Sequence, residues 1–258
     1  MKIPCSIIIP CHNEAACIRT TLRELRAFLG DEVPIAVGLN GCSDESGELA
    51  RSEGALTGET KNVGYGHGCL VAIEALHSAG MESDSYIFVA ADGANRPEDV
   101  QRLIRHFEKH RDERFLLGLR EFQLSSWVRE FGRALPNLLL GIWCRLLGGQ
   151  FFHDLGPLRL IERNLFEELA PRELTWGWTI EAQIRAAQLG ERITSLPVIE
   201  RERSAGEQKV SGVSLRRSLR IGLAIAAAGW RTRRNEKRPT NRGAPTGSRE
   251  SGTGISES

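Results

Sequence analysis

Residues 6–40 read SIIIPCHNEAACIRTTLRELRAFLGDEVPIAVGLN, and the fold is decided here. SIIIP (6–10) is a continuous β-branched run, the pattern of a strand buried on both faces. Residues 13–30 carry helical periodicity, with Asn13 placed as N-cap and Gly30 as stop. PIAVGLN (34–40) is a second strand. Strand, helix, strand in this order makes a βαβ unit, which predicts a parallel sheet with a right-handed crossover.

The alternation continues along the chain. Helices are expected at 44–54 and 68–80, then a strand at 85–92. A helix follows at 95–110, with Asn95 as cap and Pro97 in its first turn, and then a strand-like run at 114–121. The second half is less regular. Residues 127–149 look helical and amphipathic with a break near Pro136, and 153–170 read as a turn and a helix. A helix at 176–190 carries Glu181 in its early turns, and a strand is expected at 193–202. Residues 213–232 have helical character. From Arg233 onward the composition is Arg, Gly, Ser, Pro, Thr and Asn, and a disordered tail is expected. The organisation expected is one α/β domain over 1–212, an amphipathic C-terminal helix over 213–232, and a tail over 233–258.

Composition bounds the function classes. The 258 residues are 41% hydrophobic, enough for one large domain. No apolar stretch reaches the roughly 18–20 residues that span a bilayer, and the N-terminus does not read as an export signal. The six cysteines (5, 11, 17, 42, 69 and 144) form no CxxC pair and no zinc spacing, so free thiols in a reducing cytosol are expected. Charge is uneven. Residues 1–200 hold 21 Lys and Arg against 28 acids, whereas residues 201–242 hold 12 against 3. The late basic block points to an anionic partner: phosphate, an acidic lipid surface or nucleic acid. Nucleic acid is disfavoured because aromatics do not interleave the block.

In open α/β sheets, ligands bind at the carboxyl ends of the strands. Those ends are Pro10–Glu14, Leu39–Asp44, Asp92–Asn95 and Gly118–Arg120. Asp92 closes the apolar run YIFVAAD, a natural place for a divalent metal, but the residue two before it is Ala90. Hard cations usually want a second carboxylate or substrate phosphates. KNVGYGHG (61–68) is not a dinucleotide fingerprint, because it does not follow the first strand. His106 and His110 read as a solvated helix face, since HFEKH is not HExxH. Trp176 and Trp178 fit either core packing or a stacking wall for a sugar or lipid. Asp154 and Arg159 flank a Gly-Pro turn and suit a salt bridge. Arg201, Arg203 and Lys209, with Gly206 between them, suit a tight phosphate-binding loop.

Taken in order, SIIIPCHNE, GLNGCSDES, GYGHG, strand–Asp92, DLGPLRLI, WGWTIEAQ and RERSAGEQKVSG resemble the family 2 glycosyltransferases of GT-A fold. Among these the chain looks like the polyprenyl-phosphate sugar transferases, relatives of dolichyl-phosphate mannose and glucose synthases, over about residues 3–230. The resemblance implies a Rossmann-like α/β fold with a mostly parallel central sheet flanked by helices. It implies transfer of a sugar, with inversion, from a UDP- or GDP-linked donor to a polyprenyl phosphate at the cytoplasmic membrane surface. An inactive nucleotide-sugar-binding module and a hydroxyl-acceptor transferase are the alternatives. Pro10, Asn13, Glu14, Asn40 and Asp44 match the donor nucleotide site, joined by Gly64 and Gly66. Asp92 matches the last acid of the DxD motif that holds Mg²⁺ or Mn²⁺, with Ala90 at the first. Leu39 stands where an aspartate normally faces the base. Asp92 and Glu181 are the catalytic candidates, Glu181 beside the acceptor. Arg201, Arg203 and Lys209 match the acceptor-phosphate loop, and Asp154, Arg159 and Trp178 complete the pocket. Arg216, Arg217 and Arg220 could face lipid headgroups.

Overall fold

The computed structural model describes residues 4–121, 138–139, 141–147, 150–152, 154, 156–175, 177–203, 205 and 215–235. The chain forms β1 (Ser6–Cys11), α1 (Ile18–Leu29), β2 (Ile35–Asn40), α2 (Ser46–Ser52), β3 (Leu56–Thr60), α3 (Tyr65–Ser78), β4 (Ser85–Phe88) and α4 (Pro97–Lys109). β5 (Phe115–Arg120), β6 (Arg159–Glu162), α5 (Arg163–Leu169), α6 (Trp178–Gln188), β7 (Ile193–Val198) and α7 (Leu215–Asn235) follow. Residues 141–147 are also helical.

The seven strands lie in the order β3-β2-β1-β4-β6-β5-β7. All neighbours are parallel except β6, which runs antiparallel between β4 and β5. The expected mostly parallel sheet flanked by helices is therefore present. β2 and β3 extend to one side of β1 and β4 to the other, so the β1/β4 crevice is the switch point where such sheets bind ligands.

β1 shows how the sequence builds two layers. Side chains alternate across a strand. Ile7 and Ile9 enter one core with α1, α2 and α4, and Ile8 enters the other with α3, α5 and α6. All three isoleucines are fully buried, each worth roughly 1.5–3 kcal/mol of apolar transfer. α1 buries Ile18, Thr21, Leu22 and Leu25 at helical spacing and stops at Gly30, whose φ is +83°. A third cluster, with Cys144, Phe152, Ile180, Ile184 and Ala228, packs α7 and residues 141–147 against α6. The C-terminal helix is thus partly core. It extends to Asn235, three residues into the expected tail.

Several local expectations are corrected. Asn13 does not cap α1. It sits at φ +53°, which Asn tolerates better than most residues, and its Oδ1 accepts from Ser43 N at 2.7 Å. Asn95 does not cap α4, because its Oδ1 accepts from Ala90 N at 2.8 Å. That bond bends the chain after β4, so Asp92 lies on a turn and not on the strand. β3 and β6 were not anticipated. LTGET is a short, half-exposed edge strand, and RLIE looked like the start of a helix. The expected break near Pro136, Trp176, Gly206, Lys209 and the stretch 236–258 lie outside the described residues.

Candidate functional site

The parallel strands deliver Pro10–Glu14, Asn40–Asp44 and Asp92 to one edge of the sheet. Much of the polar chemistry there braces loops. Asn40 is buried; its Nδ2 donates to Cys11 O at 2.8 Å and its Oδ1 accepts from Gly64 N at 3.1 Å. His12 Nδ1 lies 2.7 Å from Asn40 O. Asp44 Oδ2 accepts from Ala15 N at 3.0 Å, and its Oδ1 accepts from the Ser46 hydroxyl at 2.6 Å. These contacts hold the β1 and β2 loops side by side. Gly66 serves packing: a Cβ there would come within 2.5 Å of the Trp178 ring. Pro10 does likewise at the α3 crossing, its Cβ 2.8 Å from where a Cβ on Gly68 would stand.

Beside these loops a cleft of about 610 Å³ opens at the carboxyl ends of β2 and β3. Leu39, Gly41, Cys42, Asp44, Arg51, Glu59, Thr60 and Lys61 are among its walls. Of the donor residues expected from sequence, Asp44 alone lines it; Asn40, Gly64 and Gly66 stand behind it. Glu59, Thr60 and Lys61 were missed because β3 was missed. Sequence offers little signal for it, because ALTGET after Gly54 does not alternate apolar and polar residues. Cys42 is the one cysteine of the six not fully buried. The neighbouring Cys11 thiol, by hydrogen bonding, pulls its pKa down. A smaller cavity of about 330 Å³, by Asp84 and Arg111, lies at the amino end of β4, away from this edge.

At the β1/β4 crevice, Glu14 and Asp92 meet a cation from the second half of the chain. Arg203 donates through Nη2 to Glu14 Oε2, and through Nη1 to Asp92 Oδ2 at 3.2 Å. Asp92 Oδ1 accepts from Ala94 N at 3.1 Å. Burial raises the Asp92 pKa, and Arg203 opposes that rise. Burial works against the Arg203 charge, but Glu14 and Asp92 outweigh it and raise its pKa. The segment carrying Arg203 is tied down beside Asp92: Arg201 N donates to Ala94 O at 2.9 Å, and Asn95 bridges Glu200.

The expected convergence of Arg201 and Arg203 on one point is corrected. β7 ends at Val198, and Arg201 turns away to Glu24 at 2.5 Å. Each arginine already faces an acid from another element, which sequence adjacency could not reveal. Nor does Asp154 pair with Arg159. It takes Arg120 in a fork, at 2.7 and 2.5 Å, and Glu200 adds to Arg120 from 3.1 Å. Arg159 is fully buried and donates to the carbonyls of Gly156 and Thr179. Trp178 is 1% exposed and packs edge-on to Phe88, so it is core and not a stacking wall. Glu181 is also 1% exposed. Its Oε2 accepts from Arg172 N and Glu173 N at 2.8 and 2.6 Å, and its Oε1 pairs with Arg185 at 3.0 Å. In this conformation the carboxylate organises the turn before α6 and presents neither oxygen to an acceptor.

The residues present do not fit the divalent cation implied at Asp92. Ala90 contributes no ligand, Asp92 Oδ2 is paired with a guanidinium, and no cluster of three metal-ligating side chains occurs among the described residues.

A mostly parallel seven-stranded sheet with acids at its switch point is the architecture of the GT-A class of nucleotide-sugar transferase folds. The family model for glycosyl transferase family 2 matches residues 6–170, and the chain belongs to that family. It is 27% identical over 225 residues to an uncharacterised glycosyltransferase of Mycobacterium tuberculosis, covering 83% of this chain and 92% of that one. It is 26% identical over 249 residues to an undecaprenyl-phosphate mannosyltransferase of Micrococcus luteus, covering 88% and 97%. Among solved structures, glucosyl-3-phosphoglycerate synthase from M. tuberculosis, in complex with Mn²⁺, UDP and glucosyl-3-phosphoglycerate, superposes with a TM-score of 0.66 at 17% identity. That match covers 89% of this chain and 80% of the other. It establishes the shared fold.

Proposed function

We propose that this transferase moves a sugar from a UDP- or GDP-linked donor to a polyprenyl phosphate at a membrane surface, inverting the anomeric carbon. The observation that carries the donor half is the meeting of Glu14, Asp92 and Arg203 at the β1/β4 crevice, next to the β2/β3 cleft. The cleft suits the nucleoside, and Leu39 gives its floor an apolar surface in place of an acid. The crevice suits the diphosphate and sugar. Asp44, Asn13 and Asn40 hold the loops between them in register. The solved relative that binds UDP supports this arrangement.

The acceptor half rests on the mannosyltransferase relative and on one surface. Leu138, Ile142 and Leu146 recur at one-turn spacing, and Leu223 and Trp230 lie two turns apart on α7; all are exposed. Trp143 and Trp230 stack at 6.1 Å, joining the two helices into one apolar patch. Arg145 and Arg234, on the same two helices, are exposed. Apolar side chains with arginines on the same helices match a lipid interface with anionic headgroups. No helix among the described residues is long and apolar enough to cross a membrane, so the association would be peripheral.

A polyprenyl phosphate is an anion at neutral pH and attacks without a strong general base. That agrees with an occupied Glu181, whose work is to hold the backbone at residues 172 and 173. At the crevice the Arg203 guanidinium meets the charge of the departing diphosphate, and Glu14 and Asp92 hold the guanidinium in place.

The test is transfer from radiolabelled UDP- and GDP-sugars to undecaprenyl phosphate in phospholipid vesicles, read as label extracted into butanol. Label in the organic phase is expected. Transfer only to a soluble phosphorylated hydroxyl acceptor would move the acceptor assignment, and nucleotide binding with no transfer at all would leave a binding module.

A further inference from the structure

Building on that donor site, we infer that the Arg203 guanidinium is its fixed cation and that the nucleoside diphosphate binds here without a divalent metal. The argument begins with position. Glu14 follows β1 and Asp92 follows β4, so the point between them is the switch-point crevice. Arg203 fills that point, 13% exposed, with one terminal nitrogen on each carboxylate. Its placement is fixed from behind. Ala205 O accepts from the Cys17 thiol at 3.0 Å, and Arg201 N is bonded to Ala94 O.

The second strand of argument is chemical. A guanidinium carries five N–H donors in a planar fork, and each terminal nitrogen has two. Using one hydrogen per carboxylate leaves each terminal nitrogen a second with which to meet phosphate oxygens, a geometry that Arg satisfies and Lys does not. A magnesium or manganese ion at the same point would need Asp92 Oδ2, which Arg203 already holds, and a second ligand that Ala90 lacks.

Calorimetric titration of UDP and GDP into the full chain tests this, in EDTA and in Mn²⁺. The wild type is expected to bind one of them with affinities that agree within about twofold between the two conditions. Arg203→Ala should weaken that binding by about tenfold or more, the loss of charge-assisted hydrogen bonds, with Arg203→Lys intermediate. In the double variant Ala90→Asp with Arg203→Ala, binding should return only with Mn²⁺. Wild-type affinity that rises tenfold or more with Mn²⁺ overturns the inference, and needs no variant. So does an Arg203→Ala protein that is folded by circular dichroism and binds as tightly as the wild type. If neither nucleotide binds the wild type in either condition, the donor-site reading itself fails and takes this inference with it.

Discussion

Around β1, β2 and β4 the polar side chains at the strand ends hold backbone: Asn13 takes Ser43 N, Asn40 takes Gly64 N, and Asp44 takes Ala15 N. Around β5, β6 and β7 the charges answer one another out of water: Arg120 with Asp154 and Glu200, and Glu181 with Arg185. The first arrangement shapes loops and leaves a cleft beside them. The second locks a chain that returns antiparallel through β6 and lacks the regular βαβ crossover to fix it. Buried ion pairs cost desolvation, so they stabilise little in net terms but are costly to break one-sidedly. The β1–β4 side therefore depends on backbone geometry, and the far side on charge balance. Arg203 belongs to the second region by sequence and to the first by contact.

Breaking the first region should take the smallest chemical change and give the largest effect. A Cβ on Gly38 would stand 1.8 Å from Gly68 O, a backbone atom of α3. Gly38→Ala is expected to cost more than about 4 kcal/mol, because neither β2 nor α3 can move without opening the sheet. Urea unfolding or recovery of soluble protein checks it; a wild-type midpoint would mean that the α3 crossing is not tight.

In the second region, Glu181→Ala leaves Arg185 and two backbone N–H groups short of a partner at a site 1% exposed. The expected loss is about 3 kcal/mol, read by denaturant titration. Should stability hold while transfer collapses, Glu181 would be a catalytic group after all, and the contrast between the regions would weaken.

Cys42 sharpens the comparison without a mutation. Thiolate is the reactive form, and the lowered pKa of Cys42 favours it there over the other thiols. Iodoacetamide should modify Cys42 ahead of the other five cysteines, which are buried. A saturating nucleoside diphosphate should slow the reaction severalfold, because Cys42 lines the cleft. Mass spectrometry of the labelled peptide reads both outcomes. The smallest effect is expected at Arg201, whose pair with Glu24 is about two-fifths exposed on each side. Arg201→Ala should change stability by under about 1 kcal/mol, in contrast to Glu181.

The positions of β1, β2, α1 and α4 were legible because apolar periodicity and glycine stops are local signals, and the parallel order of the first half followed from their alternation. The acids Glu14 and Asp92 were legible for the same reason: they stand directly after apolar strands. β3 was not, since a short edge strand with a half-exposed face carries little hydrophobic pattern. β6 was not, since RLIE runs straight into a helix with no breaker between them. Which acid meets which base was also closed to sequence. Asp154 and Arg159 are five residues apart and do not pair, while Glu14 and Arg203 are 189 apart and do. Local propensity places a charge on an element, but its partner depends on where the β6 return and the loop after β7 bring distant segments together. The sequence by itself determined the family, the parallel first half of the sheet and the edge proposed to bind. Tertiary structure alone decided that the cation at that edge is an arginine of the chain, because only the fold brings residue 203 between residues 14 and 92.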